Sequence, residues 1–118
     1  MTPIYRPFKD KYLVSCFGTV RNKTTFRLIK PFLHYKGYLR VGLYINGKRK
    51  NFSVHRLVAT LWVRKPHRKG YNIPNHLDGD KLNNYWTNFE WTTIAGNTRH
   101  AVQMGLIDME YVRSHKKK

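Results

Sequence analysis

Residues 73–93, IPNHLDGDKLNNYWTNFEWTT, concentrate the side chains of this chain that could do chemistry. The stretch contains His76 and several asparagines, and it holds three of the six acidic residues in a chain of net charge +17. Carboxylate and amide oxygens suit a hard cation such as Mg²⁺, and a histidine with a pKa of about 6.5 can act as a base at neutral pH. Because a cation site in so basic a protein has to be locally neutral or acidic, this loop is the candidate active site.

The charge balance of the whole chain indicates a polyanionic partner. Lys and Arg number 23 against 6 acidic residues, and binding to nucleic acid offsets the self-repulsion of such a charge. A membrane surface is a weaker interpretation, because the basic residues are spread from Arg6 to Lys118 through segments rich in aromatic residues.

Cys16 is the only cysteine, which excludes an intrachain disulfide and a zinc site built on several thiolates. The first residues contain no apolar run long enough for a signal peptide, and no segment approaches the roughly twenty apolar residues of a membrane span. We therefore expect a soluble, cytoplasmic protein that has no membrane partner and binds no zinc.

Local patterns predict the elements that lead into the candidate site. Residues 12–22 suit a strand with a turn, and residues 37–54 predict a hairpin that turns at the Asn-Gly pair of 46–47. Apolar residues at helical spacing then predict a helix near 54–63, with Ser53 as its N-cap.

The polar loop itself lies between two short extended pieces, NIPNH and FEWTT. A helix is predicted near 94–105, where Gly105 is a natural stop. The order strand, strand, helix thus follows the basic loop RKPHRKGYN of residues 64–72, which marks the boundary with the β-rich part.

At these residues the sequence resembles a known family. HRLVATLWV followed by IPNHLDGDKLNNYWTNFEWTTIAGNTRHA is similar to the HNH endonucleases, specifically the compact phage and intron-encoded homing endonucleases with a ββα-metal site of the His-Asn-Asn variant. The match covers roughly residues 54–105. It implies an α+β fold, in which a β-rich, DNA-binding segment with a covering helix (1–63) precedes a ββα-metal nuclease unit with a basic tail (64–118), within one compact domain.

The resemblance also implies roles for single residues. His76 would be the general base, and Asn88 would fix the loop between the strands and orient the imidazole of His76. Asn75 and Asn97 would bind Mg²⁺ or Mn²⁺, although many relatives have Asp where this chain has Asn75. Two neutral ligands would hold the ion appreciably only when the substrate phosphate is also present.

Other residues near the site have two interpretations each. Asp78 is a turn-former beside Gly79 or a metal ligand that replaces the missing Asp, and His100 is a further metal ligand or a half-buried structural residue. Asn83 and Asn84 shape the turn or contact DNA.

Three further residues are expected to be structural. Trp86 and Trp91 are predicted core anchors, and His55 is expected to be a packed histidine rather than a second catalytic one. Basic residues of the hairpin, the middle helix and the following loop are the expected contacts to double-stranded DNA: Arg40, Lys48, Arg49, Lys50, Arg56, Arg64, Lys65, Arg68 and Lys69.

The resemblance finally implies a hydrolase: a metal-dependent endonuclease, encoded by a phage, that nicks or cleaves double-stranded DNA in the host cytoplasm as a monomer or homodimer. The alternative is a non-catalytic, basic DNA-binding module with a degenerate HNH site, as Asn75 would then indicate. Only the first hypothesis predicts cleavage that His76→Ala abolishes.

Overall fold

The computed structural model describes residues 4–105 and shows three small antiparallel sheets with two helices. The first sheet contains β1 (Tyr5–Phe8), β2 (Tyr12–Ser15) and β3 (Val20–Asn22), the second β4 (Phe32–Leu33), β5 (Leu39–Ile45) and β6 (Lys48–Ser53), and the third β7 (Ile73–His76) and β8 (Phe89–Thr92). Helix α1 (Val54–Trp62) follows β6, and helix α2 (Ile94–Gln103) follows β8. The predicted α+β fold, with a β-rich segment and helix before a ββα unit, is confirmed.

The hairpin of β5 and β6 forms as predicted. Asn46 and Gly47 have φ angles of 53° and 77°, the left-handed conformation that a two-residue hairpin turn requires at both positions. Val41 and Leu43 of β5 are buried, whereas Lys48 and Arg49 of β6 are exposed. The hairpin therefore places an apolar face on the core and its basic turn in solvent.

Helix α1 is the centre of the hydrophobic core. One cluster joins it to the first two sheets and to β8, and its buried members are Tyr12, Val14, Val20, Val41, Leu43, Val54, Leu57, Val58 and Phe89. Ser53 is the N-cap residue, as predicted, and has the extended backbone of that position, but its side chain makes no capping hydrogen bond. The helix is instead held by the burial of its apolar face.

The ββα unit is attached to this core at both strands. Phe89 belongs to the core cluster, and the buried Trp91 donates its Nε1–H to Val63 O across 3.1 Å. Thr93 caps α2, because its side chain accepts a hydrogen bond of 3.0 Å from the backbone N–H of Gly96. Trp86 is 38% exposed, which contradicts its expected role as a core anchor: it lies in a short 3₁₀ turn at the surface, outside the strand.

Between residues 4 and 105, neither helix has the length and apolar character that crossing a membrane would require.

Candidate active site

A pocket of about 440 Å³ opens beside β7, between the start of α1 and the face of α2. Its lining includes His76 and Asn75 from β7, Asn97 and His100 from α2, and Arg56 from α1. All five were predicted from the sequence to lie in the site or at the DNA. The ββα unit thus brings together the predicted base, three of the candidate metal ligands and one candidate phosphate contact.

His76 is 6% exposed, and its ring is held by one hydrogen bond and three aromatic neighbours, Tyr38, His55 and Phe89. Nε2 lies 3.0 Å from Oδ1 of Asn84. An amide oxygen only accepts hydrogen bonds, so the neutral imidazole carries its proton on Nε2 and keeps the lone pair on Nδ1. Asn84 therefore selects the tautomer in which Nδ1 is the basic atom.

The ring of His76 lies in a row of aromatic groups. Its centroid is 4.8 Å from that of Phe89 and 5.4 Å from that of His55, and His55 stacks on Tyr38 at 4.6 Å. Burial is the main cause that lowers the pKa of His76, and it lowers the pKa of His55 to about 4. Both imidazoles are therefore neutral at neutral pH, as a general base has to be.

Asn88 holds the loop between β7 and β8. Its Nδ2 donates to Asp78 Oδ1 and to the carbonyl of Asn83, both at 2.9 Å, and its Oδ1 accepts from the backbone N–H of Asp78 at 3.2 Å. These contacts match the loop-fixing part of the expected role. The orienting hydrogen bond to His76 comes from Asn84 instead of Asn88, so that part of the prediction was wrong.

Asp78 is engaged within the loop. Its Oδ1 accepts from the backbone N–H of Asp80 at 2.8 Å as well as from Asn88, and its Oδ2 accepts from Asn83 Nδ2 at 2.8 Å. The hydrogen bond from Asn83, followed by the one from Asp80, lowers the pKa of the Asp78 carboxyl. Asp78 is not part of the pocket lining, so the geometry favours the turn-forming interpretation over the replacement metal ligand.

The candidate metal ligands in the pocket, Asn75, Asn97 and His100, are neutral side chains. Asn75 is 7% exposed and its buried Nδ2 has no hydrogen-bond partner within residues 4–105, so a phosphate oxygen entering the pocket would supply the missing acceptor. His100 donates from Nε2 to the carbonyl of Leu77 at 3.0 Å, which leaves its Nδ1 lone pair available. No group of three or more His, Cys, Asp or Glu side chains suited to a metal occurs in the described part of the chain. Asn75, Asn97 and His100 fit a weakly held cation whose remaining ligands are water and substrate oxygens.

Most of the basic residues expected at the DNA lie outside this pocket. Arg56 is the exception: it lines the pocket and donates from Nη1 to the carbonyl of Asn72 at 3.1 Å. Arg40 is partly buried and donates to the carbonyl of Asn51. The remaining candidates are exposed in two groups, on β6 (Lys48, Arg49 and Lys50) and on the loop after α1 (Arg64, Lys65, Arg68 and Lys69).

Three residues of the site were not identified from the sequence: Asn84, Tyr38 and Lys81, which also lines the pocket. Asn84 was considered as a turn or DNA contact, and it is instead a buried partner of the base; the LNN motif indicated a useful asparagine without showing which one. Tyr38, which lines the pocket and stacks on His55, gave no signal, because it lies far along the chain from the motif.

The strand, loop, strand and helix that carry these residues form a ββα unit, and comparison with known proteins indicates the same class: the chain is similar in sequence and fold to proteins named as HNH endonucleases. Two of these relatives come from viruses. The chain is 42% identical over 97 residues to the uncharacterized HNH endonuclease L245 of Acanthamoeba polyphaga mimivirus, a match that covers 82% of this chain and 28% of that protein. It is 33% identical over 105 residues to the DNA endonuclease I-HmuI of Bacillus phage SP01, covering 86% of this chain and 58% of that protein.

The solved structures give the same class. The fold matches the structure described as DNA binding and cleavage by the HNH homing endonuclease I-HmuI, with a TM-score of 0.79 and 31% identity over 94% of this chain and 64% of that one. No model of a protein family matches the sequence. The chain thus spans between 28% and 58% of the length of the two relatives named above.

Proposed function

We propose that this chain hydrolyses phosphodiester bonds in double-stranded DNA as an HNH endonuclease of the homing type, with Mg²⁺ or Mn²⁺. One observation carries the proposal: a buried, neutral His76 with a fixed tautomer lines the same pocket as Asn75, Asn97, His100 and Arg56. The DNA binding and cleavage named for the structure of I-HmuI support it.

Each residue of the pocket has a separate role in the proposed hydrolysis. Nδ1 of His76 takes the proton of a water molecule, the water oxygen attacks phosphorus, and the bond from phosphorus to the leaving oxygen breaks. The guanidinium of Arg56 and the unpartnered amide of Asn75 would bind the other phosphate oxygens. A divalent cation held by Asn75, Asn97 and His100 would neutralise the charge that develops on the phosphate and on the leaving oxygen.

The DNA contacts in this proposal extend beyond the pocket. The exposed basic turn of the β5–β6 hairpin has the form of a two-stranded ribbon that the major groove admits. Phosphate contacts by Lys48, Arg49 and Lys50 would add affinity that falls as salt rises. With one such pocket in the described part of the chain, a single copy would nick one strand, and a double-strand break would need two copies.

A second hypothesis, a DNA-binding module without cleavage activity, is favoured by one observation. The pocket lining contains no carboxylate within the described residues 4–105, and Asn75 is neutral where many relatives have Asp. A neutral set of ligands holds a divalent cation more weakly than one with a carboxylate. Both hypotheses include binding to DNA, but only the endonuclease hypothesis uses His76 as a general base.

Conversion of supercoiled plasmid to nicked or linear DNA distinguishes the endonuclease from the non-catalytic module. We expect the wild-type chain to cut with Mg²⁺ or Mn²⁺ and not with EDTA, and His76→Ala to bind DNA equally well without cutting. His34→Gln, a histidine change outside the pocket, is the matched control and should cut like the wild type, which excludes a contaminating nuclease. If no chain cuts any plasmid or DNA from around its own gene, the non-catalytic module is the better hypothesis.

A further inference from the structure

Among residues 4–105, Asn84 alone makes a side-chain hydrogen bond to the ring of the general base. It is 5% exposed, and its Oδ1 lies 3.0 Å from Nε2 of His76. A buried hydrogen bond of this kind is stronger than one in water, and leaving either group unpaired would cost the full desolvation of a polar atom. Asn84 is therefore tied to the ring of His76 and cannot turn outward to reach DNA without breaking that bond.

The aromatic row cannot do what this hydrogen bond does. Contacts with Phe89 and His55 restrain the plane of the His76 ring, but a rotation of the ring by 180° about its bond to Cβ would keep that plane. After this rotation, Nδ1 and Nε2 would each lie at the opposite edge of the ring, and Nε2 would no longer face Asn84. Only a partner that accepts a hydrogen bond at a fixed position determines which nitrogen carries the proton.

The N-terminal sheet holds Asn84 in this position. The turn between β2 and β3 contains Gly18, with φ of +88°, and a Cβ at Gly18 would lie 2.8 Å from Cβ of Asn84 and 3.1 Å from Cγ1 of Val54. The same turn accepts a hydrogen bond of 2.9 Å at the carbonyl of Cys16 from the backbone N–H of Trp86. The polar loop thus contacts the turn through Asn84 and is hydrogen-bonded to it through Trp86, the residues on either side of Tyr85.

We propose that Asn84 is a positioning residue, which fixes His76 as the Nε2–H tautomer with its basic Nδ1 free, and that the β2–β3 turn keeps Asn84 in place through Gly18. This inference rests on the proposed function for its catalytic consequence. The β-rich segment then contributes to catalysis as well as to DNA binding, because it supports the partner of the base.

The test measures the tautomer directly. Long-range ¹H–¹⁵N correlation spectra of the full, ¹⁵N-labelled chain at mildly alkaline pH distinguish protonated from unprotonated ring nitrogens, and the His76→Ala spectrum assigns the signals. We expect a single Nε2–H form in the wild type and a mixture of both tautomers in Asn84→Ala. In Asn84→Asp the carboxylate still accepts the hydrogen bond, so Nε2 should remain protonated.

Cleavage kinetics give the second readout. We expect kcat of Asn84→Ala to fall roughly 10-fold to 100-fold, less than the roughly 100-fold to 10,000-fold that a general base contributes, with DNA affinity unchanged. Asn84→Asp should recover most of kcat. Thr87→Asp, which adds the same charge at an exposed position of the same loop, is the control and should leave the His76 signals unchanged.

The outcomes separate this inference from the proposed function. If the wild type never cuts DNA but loses its single tautomer in Asn84→Ala, the proposed function fails and the positioning stands. If Asn84→Ala keeps the wild-type tautomer and kcat, the positioning fails while the endonuclease stands. Should Asn84→Ala not fold, an unprotonated Nε2 in Asn84→Asp would overturn the inference.

Discussion

Mild acid should destabilise this protein through His55. Burial lowers its pKa to about 4, from an ordinary value of about 6.5 in the unfolded chain. The folded state thus favours the neutral imidazole, so its contribution to stability is complete above about pH 6.5 and is lost as the pH falls from there towards 4. At about pH 5 His55 is protonated in the unfolded chain but not in the folded one, which should lower the free energy of unfolding by about 2 kcal/mol relative to neutral pH.

The loss of stability expected between about pH 6.5 and 4 comes from histidines rather than from carboxylates. The pKa of His76 is lowered mainly by burial, so His76 adds to the acid sensitivity in the same direction. The pKa of Asp78 is lowered from its ordinary 3.8, and the stability that this carboxylate contributes is lost only as the pH falls below that value. A loss measured between about pH 6.5 and 4 therefore reports the imidazoles.

Urea unfolding followed by tryptophan fluorescence, at about pH 7.5 and about pH 5, measures the effect. His55→Phe keeps an aromatic ring against Tyr38 and removes a buried Nδ1 that has no partner within residues 4–105, so its stability at the higher pH should be equal or greater. Its loss at the lower pH should be smaller than the wild-type loss. His67→Gln, at an exposed histidine, should behave like the wild type. A loss of stability in acid that persists undiminished in His55→Phe would show that His55 is not its source.

Three further changes have expected outcomes. Asn75→Asp adds a charged oxygen to the neutral ligand set and should lower the Mg²⁺ concentration for half-maximal cleavage by about tenfold. An unchanged dependence on Mg²⁺ would exclude Asn75 as a ligand of the ion. Gly18→Ala should lower the urea midpoint more than Gly47→Ala, because both positions have positive φ but only Gly18 has atoms within 4 Å of the new Cβ; equal losses would contradict the contact with Asn84. Reversing the charges of residues 48–50 should weaken DNA binding and reduce the slope of log K against log salt by up to about 3; unchanged binding would exclude the hairpin from the interface.

The parts of the fold that the sequence predicted are those with a local cause. The Asn46-Gly47 turn is determined by backbone conformation at two adjacent residues, and α1 follows from apolar spacing within nine residues. The positions of His76, Asn75 and Asn97 were also predictable, since they lie in one continuous ββα segment.

The errors concern contacts between distant segments. Asn84 is buried because the turn at Gly18 packs on it, and no pattern within the polar loop reveals that neighbour. Trp86 was expected in the core from its apolar character, but the 3₁₀ turn carries it to the surface. Burial depends on which segments meet, so local composition could identify the loop as a site without assigning the partner of the base.

The electrostatics of the pocket imply an order of binding under the proposed function. Arg56 and Lys81 bring two positive charges into the pocket lining, where no described residue supplies a carboxylate, so a free divalent cation is repelled until negative charge arrives. A DNA phosphate is attracted by the same two groups and provides the negative oxygens that the cation needs. DNA should therefore bind nearly as tightly in EDTA as in Mg²⁺, and Mg²⁺ should bind measurably only to the complex. Stoichiometric, tight binding of Mg²⁺ to the free protein in calorimetry would contradict this order and the neutral ligand set from which it follows.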